Sequence, residues 1–383
     1  MITIQSGRLL SWALTAGIMV IGSNSFVLSP ILGDVARDME VHPAIVARAI
    51  SAFGAATAVS SLIYARYGGG VSVRRVLSVG AAMMALCFIV SAISETWHVL
   101  ALAQGEVGLA VGQMLPTIYA TATASAPEGQ GAQILGKVIR GWAIALVLGV
   151  PFSAFVSDLA GWRAVYYVLA GFAGITAVAF TRIPLGAEQA ADRVAISVKQ
   201  ALVRPGAVPL LVICLLYMTA FYGLYPFLGV RLGETFGASA TMSGFVVLTY
   251  GAGFGIASTC MSWVDRAGPA RVFPGILGFL CLVYLALVPA TTSYPGALAA
   301  GFVWGMANHI GVNLIILFLS RRGDDARPVL MGLHTTITYG AIFLGPFVCG
   351  MLYAANGFPA ASFAAAGLLA GAGLVAWTKR HLM

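Results

Sequence analysis

Long apolar stretches separated by short polar ones repeat along the whole chain. Most are long enough to cross about 30 Å of hydrocarbon, which takes about 20 helical residues. None shows the polar and apolar alternation of a membrane barrel strand. The pattern predicts twelve membrane-spanning helices, called segments 1 to 12 below, over residues 9–33, 45–65, 75–95, 98–124, 134–158, 163–183, 207–230, 241–264, 272–290, 296–319, 329–354 and 359–378.

Composition supports an all-α integral membrane protein. The chain is 60% hydrophobic and 9% charged, with a mean hydropathy of +0.92, whereas soluble domains carry about 25% charged residues. Residues 9–32 are too long for the apolar region of a secretory signal, so we interpret them as the first segment. All five cysteines lie in apolar segments without a CxxC pair. We therefore expect neither a disulfide framework nor a metal site.

The net charge of +8 is distributed in a way that predicts orientation. If the N-terminus is cytoplasmic, 17 of the 21 basic residues lie at the cytoplasmic ends and loops, and only Arg37, Arg48, Arg163 and Arg231 lie outside. This positive-inside distribution predicts that both termini are cytoplasmic. We expect a bacterial plasma (inner) membrane location, contact with the lipid bilayer and no nucleic-acid partner.

The chain divides into two halves around its longest charged connector. The sequence predicts six-helix bundles at 1–183 and 207–383, joined by a cytoplasmic linker at 184–206. A short loop sequence recurs at the same place in each half, as IYARYGGGVSVRRVL (63–77) and SWVDRAGPARVF (262–273). In both copies a glycine follows an arginine by two residues and a basic residue begins the next helix. This repetition suggests a duplication.

These two loops resemble the G-x-x-x-D-R-x-G-R-R motif of the major facilitator superfamily. The second copy matches well, whereas Ala65 replaces the acid of the first copy. The resemblance implies a latch that holds the cytoplasmic side in one state; the alternative is a basic turn that only sets topology. The matching residues are Arg66, Gly68, Arg74, Arg75, Asp265, Arg266, Gly268 and Arg271.

Two further stretches carry the resemblance. GVPFSAFVSDLAGWRAVYYV (149–168) looks like segment 5 of the drug and metabolite exporters, with Gly149 and Pro151 in the Gly-Pro region of their antiporter motif and Ser153 and Ala154 replacing later glycines. Residues 30–54 are similar to the stretch of segment 1, first loop and segment 2 in the bacterial sugar-efflux and drug:proton branch. The resemblance implies that segments 1, 4, 7 and 10 line a central cavity, that 2, 5, 8 and 11 join the halves, and that the others face lipid.

Segment 4 contains one ionisable residue, Glu106. It lies about eight residues inside the helix end, or about 12 Å deep, and Gln113 and Thr117 follow at the spacing of one helical face. An intramembrane acid is a functional candidate, so we predict that Glu106 faces the cavity and carries a coupling proton. The alternatives are a wet outer vestibule or a permanent pair with Arg48.

Glycines accompany this acid. Gly105, Gly108 and Gly112 lower helix propensity, but small residues let membrane helices approach closely. We predict that they pack against neighbouring helices.

Other segments contribute further candidates. Asp34 is either an outer proton port or an interfacial acid at a helix end, and His309 either carries a proton or makes an interhelical hydrogen bond. Arg140 would contact an anionic substrate or lipid phosphate. Pro226 should kink segment 7 and form a gate. The candidate substrate contacts are Asn24, Gln113, Thr117, Arg140, Tyr217, Phe221, Tyr225, Trp304, Asn308, Asn313 and Thr338, a set whose aromatic stripe suits amphipathic ligands.

Several protein classes lack their usual signals. The chain has no GxSxG, HExxH, Walker or strand-linked GxGxxG motif, so we expect no enzyme activity and no ATP use. We also see no sizeable soluble output segment of the kind a receptor would need. The sequence predicts a monomeric, cofactor-free secondary transporter, driven by the proton gradient, that exports small amphipathic molecules such as drugs, sugars or metabolites. The alternative is an importer or uniporter of a metabolite, lipid or metal chelate.

Overall fold

The computed structural model describes residues 2–68, 70–125, 131–182, 197–323 and 325–382. All regular structure in these ranges is helical. The first half contains helices Ile2–Asp38, Pro43–Val46, Arg48–Tyr67, Val73–Ala92, Trp97–Ala124, Gly131–Ile144, Val150–Ala160 and Trp162–Arg182, with a π-helical turn at Ala145–Gly149. They cover segments 1 to 6, and the helix of segment 1 extends past its predicted end.

The second half begins with a short helix inside the predicted linker, at Val198–Val203; residues 183–196 of that linker lie outside the described ranges. The remaining α-helices are Ala207–Leu224, Phe227–Phe236, Ala240–Ile256, Met261–Ala267, Pro269–Ala290, Tyr294–Ser320 and Arg327–Thr378, and 3₁₀ turns occur at Ala257–Cys260 and Arg380–Leu382. Segment 7 is interrupted between Leu224 and Phe227. The predicted break at Pro226 is therefore confirmed.

Eleven helices in the described ranges are long and apolar enough to cross a membrane. The last of these, Arg327–Thr378, has 52 residues and covers segments 11 and 12 together. Gly357 interrupts it with φ 70° and ψ −169°. Positive φ costs little for glycine because it has no Cβ.

Contacts on the two sides of Gly357 show that the chain reverses there. Before this residue, Gly345 approaches the backbone of Thr219 near the end of the first helix of segment 7. After it, Gly371 approaches Leu216, so the chain has returned along the same helix. Segments 11 and 12 therefore run in opposite directions.

Polar contacts between loops define the two ends of the bundle. Arg163 forms an ion pair of 2.5 Å with Asp38 and donates to the carbonyl of Ser94 at 3.1 Å; we call this end the Asp38 face. At the opposite end Arg74 donates to the carbonyl of Thr181 at 3.3 Å, and Arg204 pairs with Asp325. We call this end, which includes the second loop motif, the Gly268 face.

Two of the three glycines around Glu106 mediate close helix packing. A Cβ atom at Gly108 would lie 2.4 Å from the carbonyl oxygen of Phe53, and one at Gly112 would lie 2.6 Å from that of Thr57. Segments 2 and 4 therefore approach through these glycines, as predicted. The prediction is wrong for Gly105, where a Cβ would meet nothing within 4 Å.

Candidate functional site

A cluster of aromatic rings lies at mid-depth between the two halves. The ring of Phe26 in segment 1 is 6.3 Å from that of Trp142 in segment 5. On its other side it stacks at 6.3 Å on Tyr222 and lies 5.5 Å from Tyr225, both of segment 7. Phe26 thus brings aromatic residues of both halves into one cluster.

The cluster continues into the second half. Phe221 lies 5.7 Å from Tyr250 and 5.5 Å from Trp304, and Trp304 lies 5.3 Å from Tyr284. All four rings are buried. Phe221, Tyr225 and Trp304, which the sequence singled out as substrate contacts, therefore form a packed aromatic wall.

Asn308 is at the centre of a buried hydrogen-bond chain. The hydroxyl of Tyr217 donates to Asn308 Oδ1 at 2.5 Å, and Asn308 Nδ2 donates to the hydroxyl of Tyr250 at 2.6 Å. Both polar atoms of the Asn308 side chain therefore form hydrogen bonds within the protein. Asn308 and Tyr217 were predicted to grip substrate; here they link segments 7, 8 and 10 to one another.

Two side chains on the first-half side of the cluster are only half-buried. Trp142 Nε1 donates to the hydroxyl of Tyr119 in segment 4 at 3.0 Å, and both residues retain exposed surface. Sequence reasoning missed Phe26, Tyr119 and Trp142, because it considered aromatic residues only on segments 7 and 10. Their aromatic character, on segments 1, 4 and 5, was the signal that could have identified them.

His309 lies beside the cluster on segment 10. Its ring makes an edge contact of 4.6 Å with Phe254, and its Nδ1 is buried with no hydrogen-bond partner in the described structure. Asn313 Nδ2 donates to the backbone carbonyl of His309 at 2.8 Å. The side-chain amide of Asn313 thus forms a hydrogen bond within its own helix. Nδ1 of His309 has no such bond in the described structure.

Glu106 is an exposed residue of the helix Trp97–Ala124. The opposite side of segment 4, with the buried residues Val107 and Val111, faces the bundle interior. Glu106 thus lies away from the buried side of segment 4, and its role as a proton carrier stays a prediction. In the described ranges it makes no ion pair with Arg48, whose guanidinium lies over Trp97 at 5.5 Å.

The polar residues that follow Glu106 connect segments 4 and 2. Thr117 Oγ1 donates to the hydroxyl of Tyr64 at 3.0 Å. Gln113 is exposed, and its Nε2 lies 3.5 Å from Ser60 Oγ. Both side chains have hydrogen-bond partners within their own half.

Asn24 is 5% exposed, and neither polar atom of its side chain has a partner among the described residues. It lies two helical turns after Gly17, which contacts Ile118 and Phe180. Helical geometry therefore directs Asn24 into the first half and away from Phe26.

Arg140 and Thr338 lie elsewhere along the interface. Arg140 is exposed near the start of segment 5, toward the Gly268 face. Thr338 Oγ1 donates to the carbonyl of His334 at 2.9 Å within segment 11. Neither residue contacts the aromatic cluster through a hydrogen bond in the described structure.

Asp34 lies at the Asp38 face, where it forms an ion pair of 3.1 Å with Arg37. It also borders a cavity of about 290 Å³, which is lined by Asp34, Arg37, Asp38, Ser157, Gly161 and Trp162. An ion-paired acid near a helix end matches the interfacial interpretation, and the cavity gives it access from this face.

The two halves are joined near the Asp38 face. The carboxylate of Asp158 accepts hydrogen bonds from the backbone N–H groups of Ala240 at 3.1 Å and Thr241 at 2.9 Å. Nearby, a Cβ atom at Gly229 would lie 2.4 Å from the carbonyl oxygen of Ser29. Segments 5 and 8, and segments 1 and 7, are therefore in direct contact here.

Toward the Gly268 face the halves diverge. Phe26, Met19 and Trp12 are spaced by seven residues on one side of segment 1. Phe26 is buried, Met19 is half-buried and Trp12 is 70% exposed. In the described ranges, all inter-half hydrogen bonds and ring contacts lie at mid-depth or nearer the Asp38 face.

The two loop motifs at the Gly268 face form no ion-pair relay in the described ranges. Arg66 lies over the ring of Tyr67 at 5.8 Å, and Arg266 donates to the carbonyl of Ser262 at 3.2 Å. Asp265 is exposed. Both Arg75 and Asp265 are without an ion pair among the described residues.

The glycines of the two motifs differ in conformation. Gly268 has φ 89° and begins the helix of segment 9, so this turn needs glycine. Gly68 has φ −74°, a value open to other residues.

The antiporter-like stretch brings segment 5 close to two neighbours. A Cβ atom at Gly149 would lie 2.4 Å from Ser23 Oγ in segment 1. Pro151 Cα lies 3.3 Å from the position of a Cβ at Gly244 in segment 8. Pro151 therefore lies where the halves touch, whereas Gly149 packs on segment 1 within the first half.

Known proteins share this architecture. The chain is 26% identical over 359 residues to the uncharacterized MFS-type transporter YwfA of Bacillus subtilis, covering 92% of this chain and 87% of the relative. A bacterial homologue of the lysosomal transporter Spinster, crystallised inward-facing and unoccupied, superposes with a TM-score of 0.77 at 14% identity over 98% of this chain and 97% of that one. A mutant of the nucleoside transporter NupG superposes with a TM-score of 0.76 at 16% identity. The superposition covers 99% of this chain and 100% of that one.

The sequence profile of the Major Facilitator Superfamily matches residues 14–323 and 210–381. The matched ranges include both halves, the aromatic cluster and both loop motifs. The chain therefore belongs to the Major Facilitator Superfamily of membrane transporters.

Proposed function

We propose that the protein is a twelve-span secondary transporter with both termini in the cytoplasm, working by alternating access. The contact between halves near the Asp38 face and their divergence toward the Gly268 face support this proposal. With the Gly268 face cytoplasmic, as the basic residues predict, the described conformation is open to the inside. Rocking of the halves about the aromatic cluster would then open the other side.

The substrate would be a small amphipathic organic molecule with a planar or apolar face. The observation that carries this proposal is Phe26, whose ring lies between Trp142 of one half and Tyr222 of the other. Aromatic rings with hydroxyl or N–H groups bind a flat apolar face and a polar edge together. NupG is named as a nucleoside transporter, and a nucleoside has both features.

We propose proton-coupled export as the direction and energy source. Of the three candidate proton carriers, His309 is nearest the cluster, through its contact with Phe254, and histidine titrates near neutral pH. Uniport or import is the second candidate. It is favoured by the exposed position of Glu106, which leaves segment 4 without an inward-facing acid in the described structure.

Transport in proteoliposomes tests the proposal. A thermal-shift screen of nucleosides, sugars and aromatic amphiphiles first selects a binding compound, which is then followed in radiolabelled form across a membrane with an imposed pH gradient. Phe26→Ala should lower the initial rate about tenfold because it removes the shared ring, whereas Phe152→Ala, at a 51% exposed position of segment 5, should not. Equal rates in both variants would overturn the substrate site, and gradient-independent transport would favour uniport.

A further inference from the structure

A second cavity lies at the Gly268 face, between the start of segment 9 and the end of segment 12. Its volume is about 450 Å³, and it is lined by Ala270, Arg271, Pro274, Trp377 and Arg380. It shares no residue with the aromatic cluster. Transport through the centre of the bundle gives this cavity no role.

The described residues that line the cavity include two arginines and no acidic side chain. Its two arginines are exposed, and neither belongs to an ion pair in the described part of the chain. The guanidinium of Arg380 lies 5.0 Å from the ring centre of Trp377, a contact that holds it at the cavity wall. Two uncompensated guanidinium groups in one cavity favour an anion, and phosphate is a good match for their geometry.

Exposed apolar side chains lie next to the basic cavity, as a site for a lipid acyl chain requires. Phe279 and Leu282 follow Arg271 along the exposed side of segment 9, and Leu374 is 64% exposed beside Trp377 on segment 12. Between the helices Gly373 approaches Leu277 Cβ at 3.7 Å. Gly275 and Gly278 leave open space within 4 Å of their Cβ positions, so a shallow apolar groove leads away from the basic cavity.

We propose that this cavity binds the headgroup of an anionic phospholipid, with Arg271 and Arg380 on the phosphate and an acyl chain along Gly275 and Gly278. Basic cavities between membrane helices are suited to such headgroups, and tryptophan is favoured at the membrane interface. Arg271 belongs to the second loop motif. In this proposal it anchors lipid at the base of segment 9 and takes no part in a charge relay.

Native mass spectrometry of the full-length protein in detergent tests this site. Phosphatidylglycerol, phosphatidylcholine and inorganic phosphate are the probes. The double variant Arg271→Gln with Arg380→Gln should bind phosphatidylglycerol about tenfold more weakly than wild type, because two basic contacts are lost. The matched control, Arg182→Gln with Lys199→Gln, removes two exposed charges elsewhere at the same face and should bind normally.

A second variant separates the site from overall charge. Ala270→Phe fills the cavity but keeps both arginines, and it should also weaken phosphatidylglycerol binding. Unchanged binding in the double variant or in Ala270→Phe overturns the proposal. Displacement of phosphatidylglycerol by millimolar inorganic phosphate, or equal binding of phosphatidylcholine, also overturns it, because the ligand would then be a soluble anion or any lipid.

Discussion

The hydroxyl of Ser29 donates a 2.7 Å hydrogen bond to the backbone carbonyl of Tyr225 in the other half of the protein. Tyr225 follows the end of helix Ala207–Leu224, just before Pro226. The break therefore places a backbone acceptor outside a regular helix, where segment 1 can reach it. A proline expected to kink segment 7 thus lies beside a contact that closes the Asp38 face.

Gly229 should control this closure. Gly229→Ala would place a methyl group 2.4 Å from the carbonyl of Ser29, and overpacking of this kind costs about 1–3 kcal/mol. We expect the variant to shift toward a state open at the Asp38 face. Spin labels at Glu95 and Thr292, on loops of opposite halves, should report a longer distance by double electron–electron resonance.

Gly233→Ala is the control for that experiment. Its Cβ would lie 3.7 Å from the carbonyl of Ala238, an ordinary contact one turn along the same helix. The label distance should match wild type. If Gly229→Ala also matches wild type, closure does not depend on the approach of Ser29.

Asp158 should stabilise the same closed face. Its carboxylate accepts the N–H groups of Ala240 and Thr241 at the start of segment 8, and loss of such a helix-capping contact costs about 1 kcal/mol. Asp158→Ala, which removes both acceptor oxygens, should therefore increase the open population about fivefold. The same pair of spin labels measures it.

Asp38→Ala provides the comparison for Asp158→Ala. It removes a carboxylate from the same face, but its ion pair with Arg163 lies within the first half. It should leave the distance between halves unchanged. A shift of equal size in both variants would show that surface charge, and not the contact with segment 8, controls opening.

Much of the fold could be predicted because the bilayer restricts the choices. A chain crossing hydrocarbon must satisfy its backbone hydrogen bonds internally, so apolar stretches of sufficient length become helices. The break at Pro226 followed from the absent N–H of proline alone. The short connection predicted between segments 11 and 12 contains Gly357, where the chain reverses.

The site was harder to predict because helix rotation is set by neighbours. Gly108 and Gly112 pack on segment 2, whereas Glu106 of the same helix is exposed. Asn308 was predicted to bind substrate because it is polar. Its side-chain amide instead donates a hydrogen bond to Tyr250 of another segment. Phe26 gave no polar signal at all, although it joins the two halves.

The glycines of segment 4 should differ in their effect on stability. Gly108→Ala would bring a methyl group 2.4 Å from the carbonyl of Phe53, so we expect the unfolding temperature to fall. Gly105→Ala meets nothing within 4 Å and gains up to about 1 kcal/mol of helix propensity. Its unfolding temperature should stay the same or rise, as measured by tryptophan fluorescence in detergent. The packing explanation fails if both variants lose stability equally.

Proton coupling should depend on His309 more than on Glu106. The imidazole of His309 contacts Phe254, and its buried Nδ1 has no hydrogen-bond partner among the described residues, whereas Glu106 is exposed. In proteoliposomes, His309→Gln should lower pH-gradient-driven accumulation about tenfold while leaving downhill exchange of the same substrate intact. Glu106→Gln should retain both activities. If Glu106→Gln loses accumulation and His309→Gln keeps it, the proton moves along segment 4, and the described conformation must rotate that helix during transport.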